Sequence, residues 1–109
     1  MNYSVIATSA FKRHVKKLSK KYSSLKNDLL ELVIFLEENP QSGIPIGKDC
    51  YKIRFAITSK GQGKSGGARV ITCVKIINSE VFLLAIYDKS EKENISEKEL
   101  DELLKIAGF

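Results

Sequence analysis

Lys52 and Arg54 stand two residues apart in a run that alternates apolar and polar side chains, so a strand carries both on one face. Arg69 opens the next run of this kind, and Tyr87 and Lys89 repeat the two-residue spacing further on. If the runs at 51–58 and 68–77 pair as a hairpin, Lys52, Arg54 and Arg69 gather on one surface, and Tyr87 and Lys89 share a face of the last strand. Like charges on neighbouring strands repel, and the face they share is expected to hold few carboxylates that would relieve them. A phosphate backbone would relieve them. The plainer alternative is a solvated sheet face whose cations keep the protein soluble and blunt an exposed edge.

Between the two runs lies a glycine-rich loop, residues 59–67, carrying Lys60 and Lys64. Gly61-Gln62-Gly63-Lys64-Ser65-Gly66 is a literal G-x-G-x-x-G, but a strand follows it where a dinucleotide fingerprint needs a helix. It also lacks the upstream glycine of a P-loop. The expected role of Lys60 and Lys64 is to clamp a nucleic-acid backbone, with Lys92 as a further RNA contact; a flexible connector is the alternative. His14 lies one step off an apolar helical stripe and reads as a boundary residue. Cys50 and Cys73 are isolated from each other and from His14 in sequence, too little for a zinc site. No metal and no cofactor is expected.

The elements that must position these residues follow from periodicity. Residues 3–7 alternate as a short strand. Thr8 or Ser9 caps a helix to about Tyr22, with Phe11, Val15, Leu18 and Tyr22 on one stripe and six lysines and arginines around it. Ser23 or Ser24 starts a second helix that Pro40 stops, so the two form an antiparallel hairpin. Residues 40–49 read as a long loop rich in turn residues. The strands at 51–58 and 68–77 follow, then a tight turn at Asn78-Ser79 and a strand at 81–87 apolar enough to be covered on both faces. Ser96 with Glu99 makes a capping box, Ile95 with Leu100 a hydrophobic staple, and Leu100, Leu103, Leu104 and Ala107 a buried stripe. The order is β-α-α-β-β-β-α: an α+β fold, a helical hairpin packed on a small, mainly antiparallel twisted sheet, with a C-terminal helix.

Composition agrees. At 109 residues, 43% hydrophobic and 28% charged, the chain is expected to form one domain, 1–109, with a sizeable core. No apolar stretch approaches the length of a membrane span, and the first residues lack a signal-peptide pattern. The expectation is a cytoplasmic protein with reduced thiols. Net charge is +5, unevenly spread: residues 1–75 carry fourteen Lys and Arg against five Asp and Glu, residues 76–109 four against eight. A basic body with an acidic end suggests a polyanionic partner for the first part.

The residues Asp49-Cys50-Tyr51-Lys52-Ile53-Arg54 and Arg69-Val70-Ile71 resemble the RelE/ParE superfamily of bacterial toxin–antitoxin toxins. The run from Ser59 through Gly67 to Ile71, and Leu83-Leu84-Ala85-Ile86-Tyr87-Asp88-Lys89-Ser90-Glu91, resemble the HigB-like branch more closely. The resemblance implies a toxin that cleaves mRNA on the ribosome by attack of the 2′-hydroxyl, without metal, and so inhibits translation. By it, Lys52 matches a general base, Arg54 a second basic position, and Arg69 the arginine that steadies the transition-state phosphate. Basic groups can do such work because crowded cations lower one another's proton affinity. RelE toxins carry an arginine soon after the last strand and a tyrosine further on. Aligned without gaps, those positions fall at Ser90 and Ser96, leaving Tyr87, Lys89 and Lys92 as substitutes. The family also implies a cognate antitoxin, commonly a helix-turn-helix protein like the HigA partners, together with ribosome and mRNA, and no membrane. A ParE-like inhibitor of DNA gyrase and a non-catalytic RNA- or protein-binding relative are the alternatives.

Overall fold

In a computed structural model, which describes residues 2–109, one five-stranded sheet carries helices on both faces. The elements in chain order are β1 (Ser4–Ala7), α1 (Ser9–Ser19), α2 (Leu25–Glu38), β2 (Ile44–Gly47), β3 (Cys50–Phe55), a helical turn α3 (Gly63–Gly66), β4 (Ala68–Lys75), β5 (Glu80–Asp88) and α4 (Glu97–Ile106). Strand order is β1-β5-β4-β3-β2, with β1 parallel to β5 and every other pair antiparallel. This is the expected α+β architecture with one strand added. No helix among the described residues is long and apolar enough to cross a membrane.

The added strand is β2, inside the segment expected to be loop. It pairs with β3 at the sheet edge, where Pro45 removes no needed ladder donor. Lys48 and Asp49 make the connecting two-residue turn, both at positive φ (56° and 63°), as the primed hairpin turns require. The β4–β5 link also differs from expectation. The chain leaves β4 at Lys75 through a single 3₁₀ turn, Ile76–Asn78, and Ser79 turns it back in the left-handed region at φ 54°.

The starts of α1 and α4 are as the sequence indicates, whereas Ser24 precedes α2 without a side-chain capping bond. The Thr8 hydroxyl accepts from Phe11 N (3.2 Å) and donates to Leu83 O (2.9 Å), which ties the start of α1 to the sheet. Ser96 and Glu99 form the reciprocal capping box of α4. Phe11, Leu18, Leu25, Leu29, Leu32 and Leu36 of the hairpin cover one sheet face, meeting Ile53, Phe55, Val70, Val74, Val81 and Ile86. On the other face Leu100 and its α4 neighbours pack on Cys50, Ile71, Cys73, Leu84 and Ala85.

One irregularity decides where the last strand points. Thr72 pairs with Leu83 and Ile71 with Ala85, so Leu84 is an extra residue in β5. This bulge reverses the alternation. Before it, Val81 and Leu83 face the hairpin; after it, Ile86 and Asp88 do, and Tyr87 turns to the α4 side.

Candidate nucleic-acid interface

On the α4 side of the sheet, Arg54, Arg69 and Tyr87 form one cross-strand row, with Arg54 opposite Arg69 and Arg69 opposite Tyr87. Val74 N donates to Asp49 O, so along this antiparallel pair the next position, and every second one after it, is non-hydrogen-bonded. Arg54–Arg69 falls on that set, where facing side chains lie closest. Lys52 sits two residues along β3 on the same face. The sheet therefore brings together Lys52, Arg54, Arg69 and Tyr87.

Their surroundings differ. Arg54 is exposed and, among the described residues, forms no ion pair. Arg69 is buried, 2% exposed. Its Nη1 donates to the carbonyls of Lys64 (3.1 Å) and Ala68 (3.0 Å), and its Nη2 to Ser65 O (3.3 Å), while its Nε has no partner. The helical turn α3, formed within the glycine-rich loop, thus supplies two of the three carbonyls that hold the guanidinium. Gly67 makes this possible: a Cβ there would stand 2.1 Å from Phe55 O.

The expectation of an acid-poor face is not met. Residues 89–96 cross over it on their way to α4, which local sequence spacing does not reveal. Glu93 Oε1 comes to 3.5 Å from Arg69 Nη2, and Glu93 O accepts from the Tyr87 hydroxyl at 3.2 Å. Asn94 Oδ1 accepts from Lys52 Nζ at 2.7 Å. Glu93 is half exposed, so its ion pair with Arg69 is screened and weak. Clefts of about 400 and 360 Å³ open beside this crossing and share Ile95 as a wall; Tyr87 and Lys92 line the first, Lys52 and Asn94 the second.

Burial pushes the Tyr87 hydroxyl up to about 12; Arg69 opposes that rise, and Glu93 and Glu99 add to it. Tyr87 thus keeps its proton across the physiological range and is a donor, not a base. Lys92 lies 5.2 Å from the centre of the Tyr87 ring and is ion-paired with Glu99. Lys89 and Lys64 are exposed and unpaired among the described residues.

Lys60 departs from its expected place. It turns inward to the hairpin side and donates to Asp88 Oδ1 at 2.7 Å, its side chain only 10% exposed. The fully buried Asp88 also accepts from the Tyr22 hydroxyl (2.5 Å), Ser90 N (2.9 Å) and Ser90 Oγ (2.7 Å). Burial alone would raise its carboxyl, but Lys60, Tyr22 and Ser90 together hold it well below the ordinary value. Ser90 and Ser96, the two departures from the RelE pattern, thus serve structure: one ties Asp88, the other caps α4. His14 is half-buried, its Nδ1 accepting from Ile86 N at 3.4 Å; burial first, then Arg13, Lys92 and Lys17, lower its proton affinity.

This α+β fold, a five-stranded mixed sheet with a helical hairpin on one face and a C-terminal helix on the other, is shared with solved RelE toxins. Residues 5–109 match the family model of the RelE toxin of the RelE/RelB toxin–antitoxin system, and the chain belongs to that family. Among solved structures it is similar to a double arginine-to-alanine mutant of the Escherichia coli toxin RelE in the free state, at TM-score 0.62 and 19% identity, over 96% of this chain and 97% of that one. It is also similar to a chain of the Mycobacterium tuberculosis toxin–antitoxin complex RelBE2, at TM-score 0.61 and 18% identity, over 81% and 99%. The same E. coli mutant bound to an antitoxin RelB peptide gives TM-score 0.57 and 20% identity, over 94% of each chain. No curated protein sequence matches.

Proposed function

We propose that this RelE-family toxin is a ribosome-dependent mRNA endoribonuclease that stops translation in the cytoplasm and is held in check by a cognate antitoxin. The observation that carries the reading is the row Arg54–Arg69–Tyr87 with Lys52 beside it, three cations and a protonated phenol on one sheet face. Cleavage by the 2′-hydroxyl needs a base for that hydroxyl, positive charge on the phosphorane-like transition state, and a donor for the departing 5′-oxygen. Lys52 is the proposed base, and Arg54 with Arg69 the charge that meets the non-bridging oxygens. Tyr87 fits the donor, since it holds its proton at neutral pH, with Lys89 and Lys92 beside the leaving strand. The 2′-oxygen bonds to phosphorus, the bond to the 5′-oxygen breaks, and the products are a 2′,3′-cyclic phosphate and a 5′-hydroxyl.

Arg69 enters this scheme only when Glu93 gives way. A substrate phosphate replaces the Glu93 carboxylate and Asn94 amide oxygen as partners of Arg69 and Lys52, so residues 89–96 act as a cover that RNA displaces. Lys64 remains a proposed backbone contact; Lys60, committed to Asp88, holds the glycine-rich loop instead. The Tyr87-Asp88-Lys89 segment supports placement near the HigB-like branch, with an antitoxin of the HigA kind. The test is ribosome-bound message cut by the purified protein and left intact by Arg69→Ala, which also loses growth arrest. Supercoiling inhibition without mRNA cleavage would support the gyrase-poison alternative instead.

A further inference from the structure

Cys50 and Cys73, distant in sequence, are direct cross-strand partners of β3 and β4. The hydrogen bond from Val74 N to Asp49 O (2.9 Å) makes the adjoining Cys50–Cys73 pair a non-hydrogen-bonded one. At such a pair the Cα atoms lie about 4.5 Å apart, inside the range of about 4.4–6.8 Å that a disulfide spans. The side chains also converge: both sulfurs approach one carbonyl, Lys48 O, at 3.3 Å from Cys50 and 3.9 Å from Cys73. Both cysteines are free and essentially unexposed, at 1% and 0%, beneath Leu100 of α4.

From this we infer that Cys50 and Cys73 form a redox-modification site, a dithiol that a hydroperoxide converts to an intrachain disulfide. The Cys73 sulfur attacks the peroxide: an S–O bond forms, the O–O bond breaks, and the leaving oxygen departs as an alcohol or water carrying the thiol proton. Cys50 sulfur then attacks the sulfenic sulfur, an S–S bond forms, the S–O bond breaks, and hydroxide leaves as water with the second thiol proton. Two thiols lose two electrons and the peroxide gains them. The order of attack agrees with the local electrostatics. The adjoining Cys50 thiol, with the Lys75 ammonium behind it, lowers Cys73 against the opposing effect of burial, while Cys50 is raised.

Burial under α4 sets the site apart from a surface thiol. Leu100 and the partly buried Leu103 and Leu104 of α4 pack in the same cluster as both cysteines, so only a small oxidant, or a loosened α4, gives access. Cys50 shares the β3 face with Lys52 and Arg54, and the disulfide would fix the β3–β4 spacing two positions from Lys52. The thiol chemistry is independent of what the basic face binds.

The test treats the full-length protein with hydrogen peroxide, alkylates it under denaturing conditions, and maps cysteines by mass spectrometry with a non-reducing gel. The expected result is a monomer that has lost both alkylatable thiols, with a Cys50–Cys73 peptide pair that dithiothreitol reverses. Alkylation of both cysteines after peroxide, or disulfides between chains, would overturn the inference. In Cys50→Ala the expected product is a Cys73 sulfenic acid that dimedone traps. Lack of that adduct while the wild-type chain also keeps both thiols would overturn it equally.

Discussion

Asp88→Asn is the perturbation that most severely tests how the site is held. The carboxylate is fully buried and satisfies the Lys60 ammonium at 2.7 Å, the Tyr22 hydroxyl at 2.5 Å and two Ser90 donors. Lys21 stands at 3.7 Å, largely exposed, and adds little. Asparagine keeps the shape and one acceptor oxygen but removes the charge, leaving a Lys60 ammonium that is only 10% exposed without its counterion. Breaking one side of a buried pair costs about 3–5 kcal/mol; the retained acceptor puts the expected loss near the lower end, about 3 kcal/mol. For a domain of this size that is a fall in Tm of roughly 12 °C, or of about 1.5 M in the urea midpoint.

The pH dependence follows with a definite sign. The folded carboxyl titrates below its ordinary value, so near pH 4 and below the unfolded chain binds the proton that the native state refuses. Asp88 therefore stabilises the fold above the ordinary carboxyl range and loses that contribution progressively as pH falls from that range down through its depressed folded value. Urea melts of wild type and Asp88→Asn should differ most at neutral pH and converge in acid. A loss under about 1 kcal/mol at pH 7, or a difference that grows in acid, would refute the view that this buried ion pair anchors the glycine-rich loop and the Tyr87–Lys89 segment.

Three further outcomes follow. Glu93→Gln removes the half-exposed carboxylate beside Arg69; it should change stability by less than about 1 kcal/mol and tighten binding of a short RNA about fivefold, read by fluorescence anisotropy at two salt concentrations, and unchanged affinity would count against the cover. Tyr87→Phe deletes the donor at 3.2 Å from Glu93 O but keeps the ring under Lys92; single-turnover cleavage should slow about a hundredfold with binding nearly unchanged, and an unaffected rate would remove Tyr87 from the chemistry. Ser96→Ala breaks the capping box of α4 and should cost about 1 kcal/mol in a thermal melt; no change would mean that α4 is held by its packing alone.

Much of this was legible because it is local. The Ser96–Glu99 box, the stripe of α1 and the Lys52–Arg54 alternation are each set by neighbours a few residues apart, and each lies where its spacing indicates. What could not be read depends on partners far along the chain. β2 is hidden because Pro45 and Gly47 look like turn residues, and only the edge of a sheet makes them strand. The Leu84 bulge that aims Tyr87 at Arg69 is a mismatch between two strands, with no mark in either alone. Lys60 belonged by sequence to a cationic loop, but a buried carboxylate 28 positions away draws it inward. The crossing of Glu93 and Asn94 over the basic face is likewise a tertiary contact; the acidic count of residues 76–109 was its one trace.

The most direct test of the central claim is the chemistry of the cut ends. Message recovered from ribosomes treated with the purified protein should carry 5′-hydroxyl termini that polynucleotide kinase labels without prior phosphatase, facing 2′,3′-cyclic phosphates. Termini with a 5′-phosphate, or uncut message on ribosomes that the protein has bound, would contradict a sheet face built for attack by the 2′-hydroxyl.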